Sequence, residues 1–136
     1  MNTRSERGSA SIWAILVIAG AFTVLLGLVV DGGRVIDARL AASRAAAQAA
    51  RVGADSLSSA SVRDGHDAIS VETAKGRAQN YLHDAGMTGA VNVSGDTVTV
   101  TVTGTSETQI LGAIGIESFP IEESESAQAI TEEDLP

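Results

Sequence analysis

The run Ile12–Val30, IWAILVIAGAFTVLLGLVV, constrains this chain more than any other stretch, because nineteen consecutive residues carry no charge. As a helix rising about 1.5 Å per residue it is about 28 Å long, close to the ~30 Å hydrocarbon core of a bilayer. Thr23 is its only strongly polar side chain, and a threonine hydroxyl can bond back to a carbonyl of its own helix. A soluble helix of this length normally carries charge on one face, so the run reads as a transmembrane helix. A cleaved secretory signal competes, with Arg4 and Arg7 as its basic lead. A signal's apolar core is only about 7–15 residues long, however, and needs small residues at the cut. This run is longer and ends Leu-Val-Val-Asp.

Ala19, Thr23, Gly27 and the following Asp31 recur every four residues and share one helix face. Small residues at that spacing let another helix approach closely in lipid, although lipid-facing helices are rich in small residues in any case. Orientation does not follow from charge. Arg4 and Arg7 precede the span, while Arg34, Arg39, Arg44 and Arg51 follow it. Counting alone would place the C-terminal side in the cytoplasm.

Residues 34–58 are expected to form a second, alanine-rich stretch of helix, since alanine is the best helix former. Val35, Ala38, Ala42, Ala45, Ala49 and Val52 make a heptad-like seam. Ile36, Leu40, Ala47, Ala50, Ala54 and Leu57 make an adjacent stripe, and Asp37, Arg44, Gln48, Arg51 and Asp55 line the polar face. Two stripes suggest packing on two sides, one against the chain's own C-terminal region and one against a neighbouring subunit. A single wide core face is the alternative. Gly32 and Gly33 cost about 2 kcal/mol together relative to alanine. A continuous or slightly kinked rod is still expected, because membrane helices tolerate glycine. Asp31-Gly32-Gly33-Arg34 is no phosphate loop, since it lacks the preceding strand and the Lys-Ser/Thr pair. It is read instead as the membrane boundary, with Asp31 the first residue outside the hydrocarbon and Arg34, three residues on, a partner for it.

Residues 58–67, SSASVRDGHD, have turn composition and are expected to be a loop. Helical spacing returns over 68–85, with Val71, Ala74, Ala78, Tyr81, Leu82 and Ala85 on one face. Gly86 is placed as its left-handed stop, followed by Met87. The period then changes to two. Val91 and Val93, then Val98, Val100 and Val102, alternate with polar residues around Gly95-Asp96, the pattern of a two-residue hairpin. QILGAIGI (109–116) reads as one or two helical turns or an irregular packing loop. Residues 119–130 read as a third strand, with Pro120 at its start or on an edge. The tail 131–136 is expected to be mobile. The fold class is α+β: a transmembrane helix continuing into a long alanine-rich helix, a second amphipathic helix, and a small antiparallel sheet.

Net charge is −8, and residues 61–136 hold three basic and thirteen acidic groups. A surface of that sign repels phosphates, which disfavours nucleic-acid binding. Cysteine is absent, so no disulfide or thiolate metal site exists. His66 in DGHD reads as an exposed turn residue. His83 lies at a helix C-terminus, where a cation meets the negative dipole end. Glu122, Glu123 and Glu125 would fall on alternate faces of a strand, a poor calcium site. No catalytic, cofactor or metal residues are assigned.

The segment ERGSASIWAILVIAGAFTVLLGLVVDGGRVIDARLAASRAAAQAARVGA resembles the N-terminal module of TadE/TadG-like proteins of the bacterial Tad (Flp) pilus system. The resemblance rests on the order of four elements: Arg7-Gly8, the span Ile12–Val30, the element Val30-Asp31-Gly32-Gly33-Arg34, and the alanine helix Ala38–Ala54. It covers about a third of the chain. It implies a pilin-like architecture with the N-terminus in the cytoplasm and the rest outside. The implied role is that of a minor pilin or pseudopilin, working by helix packing with pilin subunits or other pilus-assembly proteins as a homo- or hetero-oligomer. The implied layout is a cytoplasmic tail (1–11), span (12–30), stalk (31–60), exported domain (61–130) and acidic tail (131–136). Family members processed by prepilin peptidase are cut after a glycine and carry Glu at the fifth mature position. A cut between Gly8 and Ser9 would put Trp13 there, so the uncleaved form is expected. A secreted or membrane-anchored binding module is the rival reading.

Overall fold

The computed structural model describes residues 5–64 and 67–130, with side-chain surroundings for residues 10–57 and 71–130. Helix α1, Ser5–Asp64, is 60 residues long, about 90 Å of rod. It passes through Gly32 and Gly33 without a break, as the continuous alternative requires. Helix α2 follows at Asp67–Asp84. Strands β1 (Thr88–Ser94), β2 (Thr97–Glu107) and β3 (Ser118–Gln128) form one antiparallel sheet in the order β1-β2-β3. A short 3-10 turn, Leu111–Ile114, sits in the β2–β3 connection.

The expected loop over 58–67 is corrected. Helical backbone continues to Asp64 and resumes at Asp67, while Gly65 and His66 lie outside the described residues. Residues 58–63 contain neither Gly nor Pro. Extending a helix that is already formed needs no new nucleus, so serine-rich composition alone does not end it. The expected mobile tail, 131–136, also lies outside the described residues.

The remaining ends follow local chemistry. Gly86 has φ +67°, its N–H bonds the His83 carbonyl at 3.0 Å, and the Met87 N–H bonds the Leu82 carbonyl at 2.8 Å. That pair of bonds is the Schellman stop of α2. Ser94 pairs with Thr97 across Gly95-Asp96, and Gly95 alone takes a positive φ, +59°. A positive φ at the first loop position is the type II′ pattern, whose twist suits a two-residue hairpin.

The core is a two-layer sandwich. Val98, Val100, Val102 and Ile121 face inward from the sheet, opposed by Ala42, Ala45, Ala46, Ala49, Ala50, Ala54 and Leu57 of α1. Ala74, Ala78 and Leu82 of α2 close the other side. Alanine at these positions lets backbones approach closely. A Cβ built on Gly53 would lie 2.9 Å from Val98 Cγ1. The two alanine stripes above residue 42 thus merge into one wide core face that the chain covers itself. On the opposite side of the sheet, Thr99–Ser126 (2.9 Å) and Thr101–Ser124 (3.0 Å) form cross-strand hydroxyl pairs.

Sheet and rod run side by side. Ser43 donates to the Glu125 carboxylate at 2.7 Å, and Arg39 lies 4.0 Å from Glu123. Two residues along a strand span about 7 Å and four along a helix about 6 Å, so the two rises keep pace. Over the full length, Val98 meets Gly53 and Leu111 meets Gly27. The thirteen-residue step along the β segment is about 43 Å and the 26-residue step down the helix about 39 Å. The domain is therefore laid along α1 from its upper turns back to the end of the apolar run.

Candidate functional site

The end of the apolar run is where the chain closes on itself. Asp31 is 1% exposed. Its Oδ1 accepts the N–H of Gln109 at 2.8 Å, and its Oδ2 accepts those of Ile110 (3.1 Å) and Leu111 (2.8 Å). These are the donors that open the 3-10 turn, and such a turn leaves its first N–H groups without internal partners. One carboxylate supplies all three acceptor positions. The Leu111 N–H is the chief influence holding the Asp31 carboxyl below the ordinary carboxylate range. Burial opposes it, the Gln109 and Ile110 N–H groups reinforce it, and the positive charge of Arg34 contributes least. The carboxylate's hydrogen-bonding partners are thus three amides about 80 residues away in sequence, and Arg34 acts on it only through space.

Gly27, one turn below Asp31, makes this seat possible. It is buried between the exposed Leu26 and Leu28, and a Cβ built on it would stand 2.7 Å from Leu111 Cδ2 and 3.1 Å from Ile110 Cγ2. Gly32 and Gly33 have nothing within 4 Å of such an atom. The close approach in this region thus falls on Gly27, not on the glycine pair. Helix geometry explains the alignment. At about 100° per residue, Gly27 and Asp31 lie on the same side of α1 as Ala42, Ala45 and Ala49.

The remaining sequence-derived positions separate by face. Ala19 and Thr23 are exposed, and the Thr23 hydroxyl bonds the Ala19 carbonyl at 2.9 Å within the helix. Ala38 is half-buried against the core, and Ala42, Ala45 and Ala49 are buried in it. Arg34 is exposed. Gly8 and Ser9 lie in helical backbone near the start of α1. Glu123 and Glu125 turn toward α1, whereas Glu122 pairs with Thr103 on the other face of the strand. His83 and Asp84 stand 3.7 Å apart on the exposed surface. Among the described residues no three His, Asp or Glu side chains are grouped to hold a metal ion.

One face of α1 around and above the end of the apolar run is apolar and exposed. Val29, Ile36 and Leu40 are 74%, 66% and 45% exposed, and Gly33 lies between them. On the same 100° count they fall roughly opposite the sheet. Lower in the apolar run Ile12, Trp13, Val17 and Phe22 are each more than 60% exposed, so among the described residues none covers α1 there.

The family comparison falls on this long helix. Residues 8–56 match the Tad family model, "Putative Flp pilus-assembly TadE/G-like". No curated protein and no solved structure gives a match to the chain. The TadE/G-like segment corresponds to α1 from just inside its start to the level where it meets the upper end of the sheet. It includes Gly27, Asp31 and the whole alanine seam, whereas α2 and the sheet lie beyond it. The match supports a role in pilus assembly, and the single apolar helix fits a single-pass membrane anchor.

The sequence alone exposes Asp31 and Gly27 but not their partners. The signal that could have identified the partners is QILGAIGI itself. It is an uncharged apolar run between Glu107 and Glu117, joined to a strand long enough to return to the span.

Proposed function

We propose that this chain is a membrane-anchored structural protein of minor-pilin or pseudopilin type, working in a Tad/Flp-type pilus or its secretion machinery. Residues 1–11 are its cytoplasmic tail, 12–30 its span, 31–60 its stalk and 61–130 its exported domain. The observation that carries the reading is that the matched TadE/G-like segment is one unbroken helix, bare and apolar below Asp31 and carrying a folded domain above it. The domain occupies one side of the rod through Gly27, Ala38, Ala42, Ala45 and Ala49. The other side presents Val29, Gly33, Ile36 and Leu40 to a neighbouring pilus-assembly helix, with Ala19 and Thr23 available within lipid.

The chain acts by packing, and its Gly8-Ser9 bond stays uncleaved, so it remains in the membrane as an assembly or anchoring factor. Deleting the gene in the native host should abolish or sharply reduce surface pili in electron micrographs, and the wild-type chain should restore them. The protein should stay in the carbonate-washed membrane pellet and co-purify with other pilus-assembly components. Unchanged piliation in the deletion strain would refute the role. A mature chain starting at Ser9 would refute the uncleaved form, and release by carbonate would favour a secreted binding module.

A further inference from the structure

The β2–β3 connection is an apolar loop held at the depth of the membrane span. Residues 108–116, TQILGAIGI, carry no charge, and the first charged residues on either side are Glu107 and Glu117. Leu111 seats on Gly27, which lies about 4.5 Å below Val30 along the helix. On the outer side of the loop, Ile114 is 55% exposed and Ile116 is 41% exposed, with Gly112, Ala113 and Gly115 exposed between and beside them. The loop's apolar face therefore continues the apolar surface of the helix at the same level.

Irregular backbone is excluded from hydrocarbon unless its polar groups are satisfied within the protein. Here they are supplied one after another. The Thr108 N–H bonds the Glu117 carbonyl at 2.9 Å, and the Gln109, Ile110 and Leu111 N–H groups bond Asp31. The Ala113, Gly115 and Ile116 N–H groups bond the carbonyls of Ile110, Gly112 and Leu111, each at 3.1 Å. The Thr108 hydroxyl closes the loop's base on the Glu117 carbonyl at 3.0 Å. Seven N–H groups between Thr108 and Ile116 thus have partners inside the protein, where a loop in water could leave them to solvent.

We infer that residues 109–116 form an interfacial wedge that enters the outer leaflet beside the last turn of the span, with Ile114 and Ile116 in the boundary between headgroups and acyl chains. The partner is lipid, and the contact is continuous with the lipid-facing surface of α1. Asp31 serves three of the backbone donors at the base of the wedge, and Glu107 and Glu117 mark where the strands emerge into water. The wedge rests on the reading of Ile12–Val30 as a membrane span.

The chain has no cysteine, so single cysteines can carry one probe each. Ile114→Cys, Asn80→Cys and Ala21→Cys full-length chains would be labelled with a polarity-sensitive fluorophore and reconstituted in phosphatidylcholine vesicles. A second set of vesicles would contain phosphatidylcholine bearing a nitroxide, shallow or deep in the acyl chain. Ile114 lies on the exposed outer side of the loop and Asn80 is exposed on α2, so neither substitution removes a core contact. The Ile114 probe should emit to the blue of the Asn80 probe and lose about half its intensity to the shallow nitroxide, as a probe within the 5–10 Å boundary layer would. The Ala21 probe should respond chiefly to the deep nitroxide. If the Ile114 probe matches Asn80 while Ala21 is quenched, the wedge is refuted and the anchor stands. A blue-shifted Ile114 probe untouched by lipid nitroxides means protein cover, such as a second copy, and also refutes it. An unquenched Ala21 probe overturns the anchor and the wedge together.

Discussion

Replacing Gly53 with alanine sets two effects of known sign against each other at one position. In a helix interior, Gly→Ala is favourable by about 1 kcal/mol, from backbone entropy and helix propensity. Gly53 is buried, however, and the new Cβ would stand 2.9 Å from Val98 Cγ1 and 3.4 Å from the Ala74 carbonyl oxygen. Carbon atoms attract best at about 3.5–4.0 Å, so the contact must open by about 0.6 Å or more. Val98 is 0% exposed and its β-branched side chain has few rotamers into which to retreat. Ala74 is backbone of α2 and cannot turn away. Overfilling a packed site of this kind costs about 1–3 kcal/mol, which equals or exceeds the propensity gain.

Gly76 is the internal control. It lies within α2, and a Cβ there would have nothing within 4 Å. Gly76→Ala should therefore keep the whole gain of about 1 kcal/mol. The two variants should differ by about 1–3 kcal/mol, with Gly76→Ala the more stable. At about 4–8 °C per kcal/mol for a domain of this size, their melting temperatures should be separated by at least about 4 °C. Thermal unfolding of the full chain in detergent micelles, followed by circular dichroism, reads this directly. Equal stabilisation by both alanines would show that α1, α2 and β2 do not converge at Gly53, and the two-layer core would fall with that contact.

Gly27→Leu should unseat Leu111 at a cost of about 1–3 kcal/mol, and limited proteolysis should then cut within 109–116 while α2 and the hairpin stay protected. Asp31→Ala should expose the same loop, because it leaves three amides without their acceptor, and hydrogen exchange should accelerate at Gln109, Ile110 and Leu111. The wild-type loop should loosen only in strong acid. The Asp31 carboxyl is held below its ordinary range in the folded chain. Its contribution is therefore fully present above the unfolded value of about 3.9 and is lost as pH falls through the lower folded value. Pepsin cleavage in 109–116 should stay flat down to about pH 4 and rise only below it. Ile36→Ala combined with Leu40→Ala should leave the unfolding free energy within about 0.5 kcal/mol of wild type, as surface changes do, yet reduce co-purification with pilus-assembly partners; unchanged recovery would remove that stripe from the interface.

The parts of the fold written in local patterns were legible. The period-two valines and Gly95-Asp96 specify the hairpin, because side-chain alternation and loop chemistry both act over a few residues. Gly86 with Met87 marks the end of α2 for the same reason. The alanine stretch was only half legible. Between Ala45 and Ala54 nearly every direction around the helix is apolar and small, so periodicity cannot tell which side meets the chain's own sheet. The exposure of Ile36 and Leu40 and the burial of Ala42 and Ala49 are decided by where α2 and β2 come to rest. The helix end near residue 60 was misread because serine favours turns without forbidding helix. The Asp31 seat was beyond local reading, because its donors come from a turn whose position depends on the length of β2 and on the sheet running alongside the rod.

The bonds from Asp31 to the Gln109, Ile110 and Leu111 amides also fix an angle. A domain joined to a rod at one end can swivel about it. This domain is joined to α1 through α2, packed along it from Ala42 to Leu57, and clipped again at the end of the apolar run by the Asp31 carboxylate. Rotation about the axis of α1 would have to break both the core contacts and the lower clip, so the hydroxyl-bearing face of the sheet keeps a constant bearing relative to the Ile36–Leu40 stripe. Whatever helix takes that stripe also sets the compass direction in which every neighbouring sheet looks out.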